Sequence, residues 1–172
     1  ASVADIASGA LGDVPVTVIV EEDGQHIPDT IRANVRKVVF ADGVTAIPDD
    51  FFAGCTNLAT IDIAESVVAI GKNVFEACSS LATVVTNGCR MYQGWVLDYE
   101  GNAAEVTVPD GVLGIAAFAF EKKTAMRSVS LPQSLRFIGA EAFSGCVLLE
   151  NLILPDAVAA IDDGAFRNCT WV

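Results

Sequence analysis

The sequence predicts an α/β solenoid in which one short strand returns with every 23-residue turn. Three observations carry this. Ile47, Ile70, Ile115, Ile138 and Ile161 are spaced by 23, 45, 23 and 23 residues. Five residues after each stands Phe52, Phe75, Phe120, Phe143 or Phe166. Two further apolar columns keep the same step: Leu58, Leu81, Met126, Leu149 and Val172 after the anchor, and Phe40, Ile63, Val108, Leu131 and Leu154 before it. A fixed period of this length is the signature of stacked coils, none of which can bury its apolar side alone.

Each coil begins with a strand. The segments "KVVF", "TIDI", "EVTV", "SVSL" and "NLIL" are β-branched or aliphatic, and most alternate. That pattern places Val38 and Phe40, Ile61 and Ile63, Val106 and Val108, Val129 and Leu131, and Leu152 and Leu154 inward. A turn follows, and Pro109, Pro132 and Pro155 help to end their strands. The return segment carries the Ile and Phe columns and is too short for a long helix. A turn of helix, or irregular backbone, is expected there. Adjacent strands should stack ~4.8 Å apart in a parallel sheet.

Of 172 residues, 52% are hydrophobic and 19% charged, which excludes a disordered chain and gives enough length for a single domain spanning 1–172. Within it, 1–36 reads as a degenerate first turn with Val18 and Val20 inward and Ile27 as a displaced anchor. Regular repeats are expected over 37–85 and 106–172. No apolar run approaches ~20 residues, so membrane insertion is not expected. The first residues, "ASVADIASGALGD", lack the basic start and apolar middle of a signal peptide. A net charge of -12 makes nucleic acid and anionic membrane poor partners.

The landmarks "IP..V..IG..AF..C..L" give the repeat its further identity. The copies "LPQSLRFIGAEAFSGCVLLENL" (131–152) and "LPDAVAAIDDGAFRNC" (154–169) resemble the BspA-like leucine-rich repeat family. So do 40–58 and 63–81, while 108–126 keeps the apolar columns but has Lys123 at the Cys position. The resemblance implies a right-handed leucine-rich repeat solenoid, with its parallel sheet on the concave face and short helical or irregular returns on the convex face. It also implies a bacterial surface or secreted protein, often one connected with adhesion.

The 45-residue gap is one repeat plus 22 residues, falling around 86–106. Here "GWVLDYEGN" resembles a hairpin that interrupts repeats in this family, with Asp98 where the family has Tyr. A β-hairpin inserted over 86–105 is expected at one edge of the solenoid, with its tight turn at Glu100-Gly101-Asn102. Tyr92, Trp95 and Tyr99 cluster on it. Two readings stand: Trp95 and Val96 fold back to cover an interrupted core, or Tyr92, Trp95 and Tyr99 recognise a protein or a sugar ring.

The other binding candidate is the outward row of the strand face: Val39, Asp62, Val85, Thr107, Ser130 and Ile153. It is flanked by Lys37, Thr60, Thr83, Glu105, Ser128 and Asn151, mostly small residues with few charges. No metal or other cofactor is expected. Zinc sites need cysteines two to four residues apart, whereas Cys55 and Cys78, and Cys146 and Cys169, are 23 apart. These four read as buried free thiols whose side chains stack in parallel, a poor geometry for disulfides. Cys89, outside the column, reads as the most exposed. Asp42, Glu65, Asp110 and Asp156 form a solvated turn column. His26 is the only histidine and has no nucleophile beside it, which argues against an enzyme. The composite expectation is a non-catalytic module that binds a protein or glycan. Its alternative is a structural spacer or self-associating stalk.

Overall fold

A computed structural model describes residues 10–76 and 78–170. It is a β-solenoid of about six turns, with parallel strands at the expected 23-residue spacing. Two compact units are distinguished, one formed by Ala1–Val67 with Lys72–Ala82, the other by Val68–Gly71 with Thr83–Val172.

In the first unit, β1 (Val16–Val20), β2 (Val35–Phe40) and β4 (Thr60–Asp62) form a parallel sheet in the order β1-β2-β4. Its registers include Val20 beside Phe40 and Val38 beside Ile61. Of the residues singled out before the regular repeats, Val20 and Ile27 are buried and Val18 is half-buried. A 3-10 helix, Asp29–Asn34, follows. β3 (Ala46–Ile47) lies on the return. Phe40, Phe51, Phe52 and Phe75 fill the core with ring centroids 5.0–6.2 Å apart.

The second unit holds two sheets. β9 (Glu105–Thr107), β11 (Ser128–Ser130) and β13 (Asn151–Leu152) make the parallel face sheet, with Val106, Val129 and Leu152 in one inward row. The second sheet runs β14 (Ala160–Ile161), β12 (Phe137–Ile138), β10 (Gly114–Ile115), β8 (Trp95–Tyr99), β7 (Cys89–Tyr92), β6 (Val84–Thr86). Three of its strands are two-residue pieces of the returns: β10 (Gly114–Ile115), β12 (Phe137–Ile138) and β14 (Ala160–Ile161). β5 (Ala69–Ile70) is the corresponding piece of the return that precedes the interrupting segment. The expected helical turn forms in the return between β1 and β2, as the 3-10 helix Asp29–Asn34. The other described returns are irregular, built of turns and two-residue strands.

Hydrogen bonds join coil to coil at constant separation. The N–H groups of Phe118, Phe120 and Lys122 donate to the carbonyls of Ala140, Ala142 and Ser144, at 3.1, 2.7 and 2.7 Å. One coil on, Glu141, Phe143 and Gly145 donate to Asp163, Ala165 and Arg167 at 3.1, 2.7 and 2.8 Å. Every second residue thus reaches 22 residues ahead. To aim these donors, the residue three after each anchor adopts a left-handed backbone: Asp50, Asn73, Phe118, Glu141 and Gly164 have φ between 52° and 66°. Asn, Asp and Gly tolerate that region; Phe and Glu are held there against their preference by the ladder on both sides.

Inside the second unit, Phe120, Phe143, Ile115, Met126, Leu135, Cys146 and Leu149 are fully buried. Burial stabilises by about 1.5–3 kcal/mol for each large side chain. Equivalent positions in the last described coil are more open. Leu131 and Ile138 are 9% and 2% exposed, but Leu154 and Ile161 are 39% and 44%. Leu154 was expected inward; no described coil lies on that side to cover it. Val172, assigned to the last apolar column, lies outside the described residues.

Candidate functional site

The interrupting segment departs from expectation in its architecture. β6 (Val84–Thr86), β7 (Cys89–Tyr92) and β8 (Trp95–Tyr99) form a three-stranded antiparallel meander, not a single hairpin over 86–105. Its tight turns are Asn87-Gly88, with φ 52° and 79°, and Gln93-Gly94, with φ 44° and 80°. Two successive positive φ values give the turn twist that joins antiparallel strands. The expected turn at Glu100-Gly101-Asn102 is instead the exit loop after β8.

β8 also pairs in parallel with β10, in the registers Trp95 to Gly114 and Val96 to Ile115. With β12 and β14, Val96 therefore heads the Ile115, Ile138, Ile161 column. Tyr99 heads the Phe column: its ring lies 5.2 Å from Phe120, whose ring is 4.8 Å from Phe143, itself 5.4 Å from Phe166. The segment does not extend from the solenoid. It takes the place of a return and supplies that coil's Ile and Phe equivalents.

This arrangement fixes the aromatic candidates. Trp95 is 4% exposed and Tyr99 2%. The Trp95 ring covers Gly114, where a Cβ would collide with the indole, and stacks 6.1 Å from Phe137 with planes 9° apart. Their neighbours hide both rings, so neither offers the exposed aromatic face that a ligand contact needs. Tyr92, opposite Trp95 in the pairing, is half-buried.

Lys123, which breaks the Cys column, now has a reason. Its Nζ sits 5.6 Å from the Tyr99 ring centroid, a cation over an aromatic face. In the next two coils the residue at that position is a thiol facing a carbonyl. Cys146 Sγ donates to the Phe120 carbonyl at 3.1 Å, and Cys169 Sγ to the Phe143 carbonyl at 3.2 Å.

Cys55, Cys89, Cys146 and Cys169 are free thiols. Cys89 corrects the exposure order expected from sequence. It is fully buried, because β7 pairs it with Tyr99 and turns it inward. Burial pushes its thiol up to about 11. Burial raises Cys146 to about 11 as well, and raises Cys55 although the Arg32 guanidinium opposes the shift. Cys169 is the half-exposed member, raised by partial burial.

The outward strand row divides between the units. In the first, Val39 lies beside Asp62, and both are half-buried. Lys37 Nζ reaches Asp62 Oδ2 at 2.6 Å, so this charge is matched within the sheet. In the second, Thr107 lies beside Ser130, both exposed, and Ile153 follows at 84% exposure. Val85 leaves the row. It belongs to β6, antiparallel to β7 with Arg90 opposite, because Asn87-Gly88 reverses the chain before a parallel strand can form. Glu105, Ser128 and Asn151 form the flanking row. The result is a polar surface of hydroxyl, amide and carboxylate groups with one apolar end.

His26 is exposed. Among the described residues no group of three or more His, Cys, Asp or Glu is placed to hold a metal ion. No described helix is long and apolar enough to cross a membrane.

Parallel strands at a 23-residue period, an inward Phe column and short β-bridged returns define a leucine-rich repeat solenoid of the strand-and-turn type. The chain belongs to the BspA-type leucine-rich repeat family, whose sequence model matches residues 31–93 and 96–172 in six copies. Similar solved structures include a leucine-rich repeat protein of T. pallidum, at 25% identity and TM-score 0.40 over 90% of this chain and 61% of that one. A leucine-rich cell surface protein of Faecalibacterium prausnitzii is similar at 20% identity and TM-score 0.44, over 83% of this chain and 54% of that one. The pneumococcal vaccine antigen PcpA is similar at 13% identity and TM-score 0.44, over 84% and 52%. This chain therefore spans less than two thirds of each of these structures. No curated protein matches its sequence. Membership in the family is consistent with a binding or structural repeat module.

Proposed function

We propose that this chain is a non-catalytic binding module of a bacterial surface or secreted protein, and that it takes a protein or glycan ligand on the face sheet of its second unit. The observation that carries this reading is the solvent-exposed row Thr107, Ser130, Ile153, flanked by exposed Glu105 and Asn151 and half-buried Ser128, on a sheet whose other side is buried in the core. A rigid sheet presents these groups at fixed spacing, so little ordering entropy is lost when a flat partner docks. Family membership supports the assignment to the bacterial surface. Burial of Trp95 and Tyr99 supports the face sheet over the aromatic segment as the contact surface.

The test is capture of bacterial and host surface glycans and proteins on arrays, with the wild-type chain and a Thr107→Arg, Ser130→Arg variant. Arginine at both positions blocks the centre of the row without touching the core. A bound species that is lost with this variant, and retained with Asp156→Ser in the turn column, supports the reading. Equal capture by both variants overturns it. No capture by a folded wild-type chain leaves the structural-spacer role instead.

A further inference from the structure

We draw no further inference here: the strongest candidate, the exposed apolar side of the last described coil formed by Ile153, Leu154 and Ile161, is an unpartnered face and nothing in the structure shows what covers it.

Discussion

The two units solve the packing of phenylalanine in opposite ways. In the second, Phe120, Phe143 and Phe166 lie nearly parallel, with planes 8° and 9° apart, and Tyr99 joins at 26°. In the first, Phe40, Phe51, Phe52 and Phe75 meet at 47° to 84°. The cause is the number of rings that each coil places in the core. The second unit contributes one ring per coil to its inward column, and the coil spacing of ~4.8 Å sets the distance between them. The first unit adds Phe51 beside the column and Phe40 where other coils have Ile63, Val108, Leu131 or Leu154. Rings crowded into one layer turn edge to face, the arrangement their quadrupoles favour. Backbone repetition, then, dictates ring geometry where rings are sparse, and ring electrostatics decide it where they are crowded.

The strongest way to break the contrast is to remove a ring from the regular stack. Phe143→Ala should cost ~3–5 kcal/mol, because Phe143 is fully buried between two rings whose backbones cannot close the gap. Phe51→Ala should cost less, since Phe51 lies beside the column, against Phe40 at 47° and Phe52 at 84°, and its loss interrupts no parallel stack. Urea denaturation of the two variants measures the difference; equal losses would show that the parallel stack has no special rigidity.

Next in size is Gly114→Ala. Its added methyl would meet the Trp95 ring, which is pinned against Phe137, so overpacking should cost ~1–3 kcal/mol. Near-UV circular dichroism should show Trp95 reoriented. An unchanged melting temperature and spectrum would mean that Trp95 is not held over Gly114.

The thiols give a titration across the same cores. Cys89 and Cys146 are held at about 11 by burial, against an ordinary 9.0. Below pH 9 the thiols are protonated in folded and unfolded chains alike, and their contribution to stability is fully present. Between about pH 9 and 11 the unfolded chain releases protons that the folded chain keeps, so stability falls. A Cys89→Ala, Cys146→Ala variant should show a shallower decline over that window. At neutral pH the half-exposed Cys169 should be alkylated before the buried thiols. Mass spectrometry of partly labelled protein reads the order, and early labelling of Cys89 would contradict its inward placement.

The smallest effect sharpens the comparison from the other side. Tyr99→Phe gives the inserted segment the column's own residue and loses only the bond from the Ala103 N–H to the Tyr99 hydroxyl, 3.3 Å long. Stability should change by no more than about 1 kcal/mol. A large loss would show that the hydroxyl, and not the ring, anchors β8.

Much of this was legible because it repeats. The Ile and Phe columns recur at one spacing, and a residue that must face the core in every coil leaves the same mark in every copy. Cys89, Val85 and the turn at Asn87-Gly88 occur once, so periodicity had nothing to say about them. The Asn-Gly pair was itself a signal for a tight turn. Glu100-Gly101-Asn102 downstream is an equally good turn sequence, so composition alone does not fix the strand register. Cys89 lies outside the repeat column, but β7 has its own inward face. For the site, the Thr107 and Ser130 row followed from strand alternation, whereas the burial of Trp95 and Tyr99 depended on β8 substituting for a return. That substitution involves partners such as Ile115 and Phe137 in later coils, so composition of the segment alone did not separate packing from recognition.

The ladder that binds Phe118 to Ala140 and Glu141 to Asp163 also sets a unit of inheritance. Losing one residue between Phe137 and Ala160 would shift each later donor off its acceptor and turn each inward side chain toward solvent. Chain length in such a molecule changes safely only by whole coils, through duplication or loss of 23 residues, or by a segment that brings its own pairing into the sheet. Residues 84–99 are of the second kind: they lengthen the sequence out of step, yet return Val96 and Tyr99 to the places that an ordinary coil would have filled.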